Sequence, residues 1–271
     1  MLRTATIFLA LSSTATAAIN VEEIRLSPDE EGLNGEAELG GSLKTGNLEF
    51  ASLTTGAGVG YRAGDHMAFL IGSYTYAAKR SGGDLDAEGS LLSEEFRYSN
   101  KGSAHLRYNY NLSDSLALEL FSQVEFNEFL RLDLRTLGGT GVRTRLVDND
   151  MLTAYAGVGY MLERESYSES VVVEEDLIAT SHRLNTYLSL SADPAESTST
   201  TLTAYFQENI AKLCDYRVMI DAELEHRLTQ RIALNLSFSA RFDSEPPNVI
   251  EGATEIRPLD TVTATSFSYE F

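Results

Sequence analysis

The stretch Arg231-Ile232-Ala233-Leu234-Asn235-Leu236-Ser237-Phe238-Ser239-Ala240-Arg241-Phe242-Asp243 decides the fold. Its even positions carry Ile, Leu, Leu, Phe, Ala and Phe, and its odd positions carry Arg, Ala, Asn, Ser, Ser, Arg and Asp. Side chains that change face at every residue belong to a strand, whereas a helix returns to the same face after 3.6 residues. One face of this segment is apolar and the other is polar.

The same period runs outward in both directions. Residues 95–112 set Glu95, Arg97, Lys101, His105 and Arg107 on one side and Phe96, Tyr98, Leu106, Tyr108 and Tyr110 on the other. Alternation also marks 33–44, 50–62, 66–78, 116–127, 132–147, 152–163, 184–192, 200–207, 216–228 and 259–271, which gives twelve expected strands in all. Tight connections rich in Gly, Asp, Asn and Ser (62–65, 112–115, 147–150, 192–197, 228–231) fall between longer ones (80–93, 163–180, 208–215, 244–258).

Alternation by itself suits a soluble sandwich as well as a barrel whose apolar face meets lipid. The sorting of turns favours the barrel, because an outer-membrane barrel has short turns on its inner side and longer loops outside. Hydrocarbon offers no partner for backbone N–H and C=O groups, so a spanning sheet is expected to close on itself, and an even strand count returns both termini to one side. The expectation is therefore an all-β, transmembrane, antiparallel up-and-down β-barrel of about 12 strands, over 32–271.

At the other end of the chain, Met1-Leu2-Arg3, the apolar run 5–11 and Ala15-Thr16-Ala17 form the pattern of a cleaved signal peptide over 1–17. Segment 18–31 then reads as a periplasmic N-terminal stretch, and the location as the bacterial outer membrane. No segment approaches the roughly 20 consecutive apolar residues of a spanning helix. Phe267, Tyr269 and Phe271 share one face of the last strand and read as a sorting signal for the barrel-assembly machinery.

Composition removes several classes of function. A formal charge of -19, from 40 acidic against 21 basic side chains, argues against nucleic acid, whose binding rests on Lys and Arg. One cysteine, Cys214, permits no internal disulfide. The four histidines, His66, His105, His182 and His226, accompany no GxSxG element and no recognisable nucleophile–base set, so the chain is expected not to be an enzyme and to need no cofactor. A hydrolase of lipid or peptide and a loop-mediated adhesin or receptor are the alternative classes.

Asp84, Asp86, Glu88 and Glu95, with Gly89, approach the spacing of a calcium loop. Glu88 stands where Asp or Asn is usual and no helices flank the segment, so a solvated acidic loop is the competing reading. Glu163, Glu165, Glu169, Glu174, Glu175 and Asp176 make the connection 163–180 acidic too, which fits outer-membrane lipid and lipopolysaccharide as partners through bridging divalent ions. The polar faces supply Arg97, Lys101, Arg107, Glu119, Glu125, Arg135, Arg143, Arg145, Asp221, Glu223, Glu225 and Arg241 as candidate lumen-lining residues. They either line a pore with separated charges or pair across a narrow lumen and fill it.

Leu43-Lys44-Thr45-Gly46-Asn47, Asp215-Tyr216-Arg217, Phe242-Asp243-Ser244-Glu245-Pro246-Pro247 and the closing segment 260–271 resemble the YdiY-like family of salt-induced outer-membrane proteins. The resemblance covers nearly all of the chain after the leader. It implies a barrel with a role in salt or osmotic stress, and no chemical site.

Overall fold

The computed structural model describes residues 7–9, 31–46, 48–81, 90–149, 151–168, 177–230, 232–248 and 256–269. Asp84, Asp86, Glu88 and Phe271 lie outside the described residues, as do 1–6 and 10–30.

Among the described residues thirteen strands form one antiparallel sheet. They are β1 (Ile7–Leu9), β2 (Gly32–Lys44), β3 (Leu48–Ala63), β4 (His66–Ser81), β5 (Arg97–Ser113), β6 (Leu116–Asn127), β7 (Leu132–Asn149), β8 (Leu152–Tyr167), β9 (Ile178–Ala195), β10 (Thr198–Asn209), β11 (Tyr216–Arg227), β12 (Ile232–Asp243) and β13 (Leu259–Tyr269). From β2 to β13 every strand pairs with its neighbours in sequence, so the sheet is an up-and-down meander. The twelve long strands match the twelve expected from alternation, with ends shifted by a few residues.

The tight turns gather at one end, as between Ala63 and His66 or Asn149 and Leu152. At the opposite, loop end two connections are also short. Lys44 leads to Leu48 within a few residues, and Asn127 to Leu132 through the 3-10 turn Glu128–Leu130.

The expected bond between the first and last long strands is not what the structure has. The outer edge of β13 pairs with β1, through Ile7↔Tyr269 and Leu9↔Phe267, and β1 also runs beside β2. The edge that β2 would need is already occupied, so the long strands do not close on each other directly.

The burial pattern is the reverse of a soluble sheet. Glu119 on β6 is 2% exposed and its neighbour Leu120 is 54% exposed; on β5 Arg107 is 4% exposed and Leu106 50%. The same inversion holds at Glu163 against Leu162 and at Arg183 against Leu184. A polar face is enclosed and an apolar face is turned outward, the arrangement of a sheet that would meet lipid.

Small residues let the enclosed face pack. The ring of Phe121 fills the space that a Cβ on Gly139 would need, and the ring of Tyr187 does the same over Gly157. Phe69 and Ile71 are buried together, directly across from Gly60 and Gly58 on β3. A glycine beneath an aromatic ring lets the ring lie flat on the neighbouring backbone, which draws the wall inward.

Candidate functional site: the ionic interior

Glu163, near the loop end of β8, is 1% exposed and is held by three arginines. It accepts hydrogen bonds from Arg135 Nε on β7 (2.7 Å), Arg183 Nε on β9 (3.1 Å) and Arg217 Nη1 on β11 (2.8 Å). An isolated carboxylate would be very costly to bury, and three guanidinium groups supply the compensation. Arg217 also donates to Glu165 (2.9 Å) and Asp243 (2.8 Å), and Arg183 to Asp215 (2.9 Å). Tyr167 donates its hydroxyl proton to Glu165 at 2.8 Å.

These contacts do not stay between neighbouring strands. β8 and β11 are three places apart in the sheet, so the Arg217–Glu163 bond is a chord across the enclosed space. Tyr187 on β9 reaches Glu119 on β6 at 2.9 Å, another three-strand chord. Arg241 on β12 lies 3.7 Å from Glu125 on β6, six places away among twelve long strands. That pair joins opposite walls. Glu125 is tied to its own side by Arg135, also at 3.7 Å.

Toward the turn end the interior becomes more aromatic. Arg107 stacks over the Phe121 ring at 5.4 Å, donates to His105 Nε2 at 3.3 Å and lies 3.7 Å from Glu119. Arg143 sits 3.7 Å over the Tyr155 ring, a cation–π contact in an enclosed place. The rings of Tyr187 and Tyr205 meet at 5.4 Å.

Of the residues expected to line the lumen, Arg107, Glu119, Glu125 and Arg143 are buried, Arg135 is nearly so, and Arg241 is half-exposed. Lys101, Asp221 and Glu223 are partly buried, the last two facing Ser239 and Ser237 of β12 in register. Glu225 pairs with Arg227 at the turn end (3.3 Å). Arg97 stays at the loop-end rim with Glu128 (2.7 Å) and Glu94 (3.4 Å). Arg145 serves the turns instead, binding Asp148 and the carbonyl of Asp114.

Glu163 and Glu165 correct the sequence reading. The expected strand ends at Glu163 and leaves Glu165 to the acidic connection, whereas both lie within β8, buried and ion-paired. Arg183 and Arg217, which the alternation also sets on the polar faces, belong to this cluster with Asp215 and Asp243; the signal for its extent is that Glu163 and Glu165 continue the odd-numbered polar face past the expected end of the strand. Glu95 lies exposed in the 3-10 turn Glu94–Phe96, and among the described residues no group of three or more His, Cys, Asp or Glu side chains is placed to hold a metal.

Each histidine has a structural partner. His66 meets the Tyr108 hydroxyl (2.6 Å), His182 that of Tyr160 (2.5 Å) and His226 that of Thr198 (2.8 Å). Outside the strands, Lys212 donates to Glu245 across two loops, and this hydrogen bond raises its ammonium pKa above the usual value.

Residues 37–271 match the sequence pattern of one family, described as a protein of unknown function, DUF481. The chain belongs to the DUF481 family. No curated protein matches this DUF481 chain. Among solved structures it is similar to the NanC porin (9% identity, TM-score 0.43, covering 88% of this chain and 96% of that one). It is also similar to the KdgM porin in complex with disordered oligogalacturonate (8%, 0.41, 83% and 96%). A third likeness is to the β domain of the Bordetella autotransporter BrkA (12%, 0.37, 89% and 98%).

Proposed function

We propose that this DUF481 chain is a non-enzymatic outer-membrane β-barrel acting as a narrow conduit for small ions, constricted by its own arginine and glutamate side chains. The observation that carries this reading is the Arg241–Glu125 pair, which links opposite walls while Arg241 stays 49% exposed. A bridge that is still wet leaves passage for ions and water and none for a bulky solute. The buried chords through Glu163 narrow the other half of the interior. The row Asp221, Glu223 and Glu225, flanked by Ser239, Ser237 and Asn235 on β12, adds negative charge below the constriction and favours cations.

The location rests on the inverted burial pattern together with the signal-like leader. Phe267, Tyr269 and Phe271 would serve as the signal to the barrel-assembly machinery. A role under osmotic stress, implied by the resemblance given above, suits a conduit too narrow to leak metabolites.

Planar-bilayer recording of the purified, folded protein tests the reading. Small cation-selective conductance is expected, and Arg241→Ala should raise it by roughly twofold, because the strut that divides the water column is gone. Silence from both proteins defeats the conduit.

A further inference from the structure

At the loop-end rim the chain makes one strained turn. Asn127 Oδ1 accepts from the backbone N–H groups of Phe129 (3.2 Å) and Leu130 (3.4 Å), and the turn ends on Arg131 at φ 58° and ψ 22°. Among the described residues Arg131 is the one non-glycine residue at positive φ. A β-carbon disfavours that conformation, and such strain persists where the side chain has a use.

Within the protein that use is missing. Among the described residues the Arg131 side chain forms no ion pair, and its Nε is buried without a hydrogen-bond partner. Arg131 lines a cavity of about 220 Å³ whose other walls are Arg97, Tyr98, Glu128 and Phe129. Glu128 is engaged by Arg97 Nε at 2.7 Å and Asn100 Nδ2 at 2.9 Å and makes no ion pair with Arg131. Asn100 Oδ1 is likewise buried and unpartnered. Tyr98 and Phe129 are each 56% exposed.

We propose that this cavity binds the phosphoryl headgroup of an anionic membrane lipid, with Arg131 pairing the phosphate and Tyr98 and Phe129 packing against the sugar or acyl portion. The proposal rests on the reading that the apolar outer face meets lipid. A protein of charge -19 repels free anions, so an anion that settles here must also gain from apolar contact, and the two exposed rings provide it. The position fits as well, since β5 begins and β6 ends here, where the apolar outer face gives way to the loops. Guanidinium and phosphate match in geometry and form charge-assisted hydrogen bonds.

The test uses the full mature protein refolded in detergent and observed by native mass spectrometry. Diphosphorylated lipid A, its dephosphorylated counterpart and inorganic phosphate are the three probes. Arg131→Gly is the deciding variant, because glycine accepts the left-handed conformation and the turn should be retained, as heat-dependent gel mobility verifies. Wild type should hold one lipid A, Arg131→Gly should hold it about tenfold more weakly, and Arg131→Lys should fall between them. Equal retention by wild type and Arg131→Gly, or equal binding of the dephosphorylated lipid, overturns the site. Displacement of lipid A by inorganic phosphate at comparable concentration overturns the lipid as its source. A chain that stays in water without detergent refutes the membrane reading before any probe is added.

Discussion

Glu163 is the residue on which the interior converges, and its neutralisation has a defined consequence. Glu163→Gln leaves Arg135, Arg183 and Arg217 facing one another with one counter-charge fewer, and breaking a buried ionic set of this kind costs about 3–5 kcal/mol. Urea unfolding in detergent should show that loss, and an unchanged midpoint would contradict the assigned network. Gly157→Ala is a second residue-scale case. The new methyl group must displace the Tyr187 ring and with it the 2.9 Å bond to Glu119, an overpacking cost of about 1–3 kcal/mol, visible as a lower Tm. Alternation told which face each of these residues occupies. It could not tell that Arg217 meets Glu163, 54 residues away, because a partner across the interior is chosen by the curvature of the sheet and not by any local period.

The strands themselves were legible because their two faces differ so sharply. The expected segments 116–127 and 231–243 agree with β6 (Leu116–Asn127) and β12 (Ile232–Asp243) to within a residue. The start of β5 was misplaced at Glu95, since Phe96 looks like one more outward apolar residue. It is buried, turned under Arg80, whose guanidinium lies 5.0 Å from the ring, and the 3-10 turn Glu94–Phe96 makes that inward swing. Where a strand begins depends on such tertiary contacts, which a two-residue period does not encode. The outward face offers a direct element-scale test. Leu120→Arg, in the middle of β6, should destabilise the protein in lipid by about 2–4 kcal/mol, the cost of an arginine near the bilayer midplane. If that variant unfolds at the wild-type denaturant concentration in lipid vesicles, β6 does not face hydrocarbon.

At the scale of the whole molecule, twelve strands in meander order were expected and are present, while the join between first and last was not foreseen as it stands. The edge of β13 carries Ile7–Leu9, a segment within the expected leader, and no sequence pattern announces that pairing. A chain beginning at Ala18 lacks this strand and frees the edge for β2. Such a chain is expected to fold fully and to run at different positions on gels when heated and unheated; loss of that shift would make β1 indispensable.

The ionic chords are not centred along the strands. Arg135 and Glu165 face each other three residues from the loop-side start of β7, and Arg217 stands next to the first residue of β11. In a water column a voltage falls mostly across the thinnest section, so here the drop would lie near one mouth. In the proposed conduit the two polarities would then drive ions against unequal halves, one lined by aromatic rings and carboxylates and the other by open loops. Current through a uniformly oriented population should therefore rectify.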